Sequence, residues 1–84
     1  MTLFETVKHS VTVKQAAEHY GFEVNRGDMI CCPFHDDRHP SMKLNEDYFY
    51  CFGCGTTGDV IDFVARLFGL SSYEAAKKLA YDFG

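Results

Sequence analysis

CCPFHDDRHPSMKLNEDYFYCFGCG, residues 31–55, is the stretch whose reading decides the fold. It contains Cys32-Pro33-Phe34-His35 and Cys51-Phe52-Gly53-Cys54, two donor pairs of spacing C-x2-H and C-x2-C with fifteen residues between them. Two intervening residues allow a tight knuckle, so both side chains of a pair can reach one ion about 2.0–2.3 Å away. Gly53 and Gly55 supply the conformational freedom that such a turn often needs. A soft Cys3His set with no position left open suits a closed, tetrahedral zinc site, structural rather than hydrolytic. The expected cofactor is therefore one structural Zn2+ on Cys32, His35, Cys51 and Cys54. Sites of this type contribute on the order of 10–16 kcal/mol to folding, comparable to the whole stability of a small domain.

The remaining donors near the site read differently. Cys31 would lengthen the first knuckle to C-x3-H, so it is expected to be a small strand residue facing the core. His39 breaks the tight spacing. His9 and His19 fall on polar helical positions and are expected to be solvated. Asp36-Asp37 reads as a solvated loop or an outer hydrogen-bonding contact to the metal site.

Working outward, Ser41–Leu44 and Tyr48–Phe52 flank Asn45-Glu46-Asp47 as a hairpin, which returns the second knuckle to the first. Phe22–Asn25 and Met29–Cys32 flank Arg26-Gly27-Asp28 and read as another hairpin. Upstream, Thr12 and Gln15 form a capping box. Val13, Ala16, Ala17 and Tyr20 then share one helical face, which ends at Gly21. The first ten residues read as a short helix or a tail. Downstream, Gly55-Thr56-Thr57-Gly58 reads as a loop and Asp59 as a helix cap. Val60, Ile61, Phe63, Val64, Leu67 and Phe68 make an apolar face that stops at Gly69. Ser71 and Glu74 cap a last helix, with Lys77 and Lys78 expected near its C-terminal end. The predicted class is α+β: a small zinc ribbon of about four short antiparallel strands over residues 22–55, with an N-terminal helix and two C-terminal helices over 59–82. Residues 1–84 are expected to form one domain.

The chain carries 8 basic and 12 acidic residues, a formal charge of -4. Three thiolates and one zinc ion would make it more negative still. That weighs against a general, charge-driven grip on nucleic acid. No apolar run approaches the length needed to span a bilayer, and the N-terminus MTLFETVKHS lacks a secretory pattern. A cytoplasmic location with reduced thiols is expected, in which cysteines hold metal rather than disulfides.

CPFHDDRHPSM, from Cys32 to Met42, and YFYCFGCGTTGDVIDFV, from Tyr48 to Val64, resemble the zinc-binding domain of DnaG-type bacterial and phage DNA primases. The resemblance extends upstream through the Thr12–Tyr20 helix and downstream through SSYEAAKKLA. It implies a zinc ribbon that contacts single-stranded template and helps choose where primers start, beside a separate Toprim-type catalytic domain. The chain alone is then expected to be non-catalytic. Its implied partners are single-stranded DNA and a primase catalytic domain or replicative helicase, with no membrane. Candidate nucleic-acid contacts are Arg26, Phe34, Arg38, Lys43, Tyr48, Tyr50 and Phe52, since exposed aromatics stack bases and cations neutralise phosphates. Alternation puts Tyr48, Tyr50 and Phe52 on one face of their strand, with Phe49 and Cys51 on the other. Ser41 and Lys43 share a face on the neighbouring strand. One face must be core, and the pattern leaves open which. The acidic balance favours an alternative, a stand-alone ribbon that docks on replication proteins without binding DNA.

Overall fold

The computed structural model describes residues 2–35 and 38–84; Asp36-Asp37 lies outside the described residues. The chain opens with α1 (Leu3–Ser10), capped by the Thr2 hydroxyl, and α2 (Val13–His19), which starts on the Thr12–Gln15 capping box. Strands β1 (Met29–Cys31), β2 (Pro40–Leu44), β3 (Phe49–Cys51) and β4 (Thr57–Gly58) follow, then α3 (Val60–Phe68) and α4 (Ser72–Phe83). The four strands form one antiparallel sheet in the order β1-β2-β3-β4. The α+β class holds. The capping boxes at Thr12–Gln15 and Ser71–Glu74 form as expected, and Asp59, expected as a helix cap, closes a third box with Asp62.

Two strand expectations are corrected. Phe22–Asn25 forms no strand. The Asn25 side-chain oxygen accepts from the Gly27 and Met29 amides, so pairing closes locally around the turn, a standard Asx-type competition with a ladder. Phe22 instead sends its ring edge-on to Phe63 of α3, with centroids 5.9 Å apart. β1 is therefore an edge strand. At the other edge, Thr57–Gly58, read as loop, adds β4 to β3, and the Thr57 hydroxyl donates to the Phe49 carbonyl at 2.7 Å.

Strand alternation sets the layers. Ile30, Met42, Leu44, Phe49 and Cys51 are buried on one face of the sheet. Phe63 of α3 meets Phe49 there at 5.6 Å. Val60, Ile61 and Val64 extend that core toward the helices, where Ala75, Ala76 and Leu79 of α4 are fully buried. α4 runs past Lys78 to Phe83, so Lys77 and Lys78 sit mid-helix rather than at its end. Lys78 lies over Phe68 at 4.7 Å and over Tyr20 at 5.3 Å, and it pairs with Asp82 at 3.3 Å. Asp82 also accepts the Tyr20 hydroxyl at 2.6 Å, tying α2 to α4. No helix among the described residues is long and apolar enough to cross a membrane.

Candidate metal centre and the outer ribbon face

β1 and β3 run in the same direction, because each is antiparallel to β2. Their C-terminal ends therefore lie at the same end of the sheet, and each carries a knuckle: Cys32 to His35 after β1, Cys51 to Cys54 in the turn from β3 to β4. One ligand atom from each of Cys32, His35, Cys51 and Cys54 lies within 4.8 Å of the others. The Cys32 and Cys54 sulfurs are 3.9 Å apart. A tetrahedron with Zn–S bonds of about 2.3 Å has sulfur–sulfur edges of about 3.8 Å, so the donor set fits zinc in size as well as in softness. Cys32 and Cys51 are buried, His35 is half-buried with its Nδ1 atom enclosed, and Cys54 is exposed.

The glycines of the second knuckle serve by different means. Gly55 adopts φ +76°, as expected of a turn. Gly53 does not; it supplies space. A Cβ there would stand 3.0 Å from His35 Nε2 and 3.3 Å from Ser41 Oγ, so only glycine lets the second knuckle close on the first without displacing them.

Each sulfur has a hydrogen-bonding neighbour. The Phe34 amide donates to Cys32 Sγ at 3.4 Å, Ser41 Oγ lies 3.5 Å from Cys51 Sγ, and Thr56 Oγ1 lies 3.0 Å from Cys54 Sγ. Burial pushes the Cys32 thiol up to about 12, and the Phe34 amide offsets this only in part. Burial acts the same way on Cys51, but the Ser41 hydroxyl and the Cys54 and Gly53 amides outweigh it and bring the thiol down to about 7. A divalent cation supplies the positive charge that allows all three sulfurs to be thiolates together.

Cys31 is corrected: it is exposed. Ile30 and Cys32 point inward, so period-two alternation turns Cys31 outward, and the register shifts between Ile30 and Cys31. His39 is exposed and outside the donor set. His9 is exposed, whereas His19, although exposed, lays its ring 4.7 Å from that of Phe83.

With this geometry in place, the whole chain, residues 1–84, matches the family described as CHC2 zinc finger, the DnaG zinc ribbon. The chain belongs to that family. It is 37% identical to a DNA primase of Helicobacter pylori over 83 residues, 96% of this chain and 13% of that protein. It is 49% identical to a DNA primase of Rickettsia prowazekii over 55 residues, 63% of this chain and 9% of that protein. The crystal structure of the Aquifex aeolicus primase (zinc binding and RNA polymerase domains) superimposes with a TM-score of 0.80 at 30% identity, covering 100% of this chain and 22% of that one. The chain thus spans a small fraction of the length of these relatives. As a CHC2 zinc ribbon it has four residues positioned to bind one zinc ion.

The ribbon's outer face carries the other candidates. Lys43 pairs with both Met29 and Tyr50, and Tyr50 with Thr57, which makes one cross-strand row. Tyr50 is 38% exposed and Phe52 70%, and their rings meet edge-on at 5.1 Å. Tyr48 is exposed beside them in sequence, as are Arg26 and Arg38 elsewhere on the surface. Lys43 reaches back to the Gly27 carbonyl at 2.7 Å. Phe34 stands apart from this group. It is half-buried, 5.9 Å from both Phe49 and Phe63, with the Arg66 guanidinium 5.6 Å from its ring centre.

Proposed function

We propose that this zinc ribbon is the template-contacting module of a DNA primase, engaging single-stranded DNA during primer synthesis in concert with a primase catalytic domain. The observation that carries the reading is the outward pair Tyr50, on β3, and Phe52, in the knuckle just after it, with their rings in edge-on contact and Lys43 paired with Tyr50 across the sheet. Exposed rings on a sheet offer stacking surfaces to unpaired bases, each worth roughly 1–3 kcal/mol. Lys43, Arg26 and Arg38 supply phosphate neutralisation. Phe34, packed between sheet and helix, supports the knuckle in this account rather than the bases. With two or three cations engaged at about -0.7 each, log K should fall against log salt with a slope of about -2 or shallower.

The test is fluorescence anisotropy of short labelled oligonucleotides against the zinc-loaded chain. Weak binding at low salt, reduced several-fold by Tyr50→Ala and by Phe52→Ala, is the expected result. Absence of binding at high protein concentration, with one zinc per chain confirmed, refutes it for this chain. The charge of -4 favours a second reading, a ribbon that docks on a replicative helicase or other replication protein. Retained docking by a chain that binds no oligonucleotide would support that reading instead.

A further inference from the structure

The four zinc donors are not equally shielded. Cys32 and Cys51 are buried and His35 is half-buried, whereas Cys54 is exposed. The exposed sulfur also has the shortest hydroxyl contact, 3.0 Å to Thr56 Oγ1, against 3.5 Å from Ser41 to buried Cys51. With zinc bound, Cys54 is a thiolate and carries no proton, so the Thr56 hydroxyl must be the donor. A hydrogen bond to a charged sulfur draws off part of the electron density that makes it a nucleophile.

We propose that Cys54 is the site at which soft carbon electrophiles modify this zinc centre, and that the Thr56 hydroxyl sets the rate. In the step itself, the Cys54 sulfur lone pair forms the C–S bond while the carbon–halogen bond of an alkylating agent breaks and halide leaves with the electron pair. The resulting thioether is neutral, so Cys54 would no longer supply an anionic donor, and Cys32, His35 and Cys51 alone would hold a zinc ion too weakly to keep it. Cys31, exposed but outside the donor set, is alkylated without metal loss.

The experiment treats the zinc-loaded chain with iodoacetamide, reads zinc release with a chromophoric chelator, and maps labelled cysteines by mass spectrometry over time. Expected is zinc release that tracks labelling of Cys54, with Cys31 labelling uncoupled from it. Thr56→Ala should accelerate release about tenfold, the scale of one lost hydrogen bond to a charged group. Thr56→Ser should retain the slow rate, and Ser41→Ala should leave the first site of labelling at Cys54. Release that tracks Cys32 or Cys51 overturns the proposal. So does an unchanged rate in Thr56→Ala, or an equal acceleration of release to the chelator alone, which would show that Thr56 only holds the metal. The labelling order in the unmodified chain decides the first half of the proposal without any variant.

Discussion

Gly53 shows how narrowly the metal centre is drawn at the scale of single residues. A Cβ at this position would press on His35 and Ser41 at 3.0–3.3 Å, and both belong to or touch the donor set. Overpacking of this kind commonly costs 1–3 kcal/mol. Gly53→Ala is therefore expected to weaken zinc affinity by roughly tenfold, measured by competition with a chelator of known affinity, while leaving the metal-to-protein ratio at one. The ligand residues themselves were legible in the sequence, because the two knuckle spacings leave little else for those side chains to do. The outward turn of Cys31 is also encoded locally, by alternation from Cys32: a strand cannot turn two consecutive side chains into the same core. Phe34 was not legible. Its place between Phe49 and Phe63 depends on how α3 crosses the sheet, which no local pattern encodes.

Among the elements, α3 is the one on which sheet and helices both depend. Its N-terminus is held by reciprocal bonds between Asp59 and Asp62, at 2.9 and 3.0 Å, and by the Lys8 ammonium of α1 at 3.0 Å from Asp59. Burial works against the Asp59 carboxylate, but the Asp62 amide and Lys8 outweigh it and hold the carboxyl below its usual range. A lowered folded-state pKa gives stability that is complete above the ordinary carboxylate range and is lost as pH falls through the folded value. Asp59→Ala should cost about 1–2 kcal/mol in denaturant unfolding of the zinc-loaded chain at neutral pH. That difference should stay constant between about pH 8 and pH 6, where the carboxylate is ionised in both the folded and the unfolded chain and the zinc ligands remain deprotonated. The helices were readable because caps and apolar period coincide at Thr12, Asp59 and Ser71. The strands were less so. The Asn25 side chain closes an Asx turn onto the Gly27 and Met29 amides, and Phe22–Asn25 adds no strand to the sheet. β4 is two residues long, too short to show a period, and exists only because β3 presents it with a partner.

For the whole molecule, one aromatic cluster, Phe22, Phe34, Phe49 and Phe63, joins the helical layer to the ribbon, while the zinc donors join the ends of β1 and β3. A sheet whose outer strands are three and two residues long has little hydrogen bonding with which to hold itself, so the metal is a folding element rather than a reagent. The outer face that carries Tyr50 and Phe52 is then only as ordered as the zinc site behind it, which links the proposed contact with template to metal occupancy. The most direct measurement removes the zinc with excess chelator and follows near-ultraviolet circular dichroism of the tyrosines and phenylalanines, then returns one equivalent of Zn2+. Loss of the fixed aromatic signal on chelation and its recovery at one zinc per chain is the predicted result. An aromatic signal that survives complete zinc removal would contradict the account.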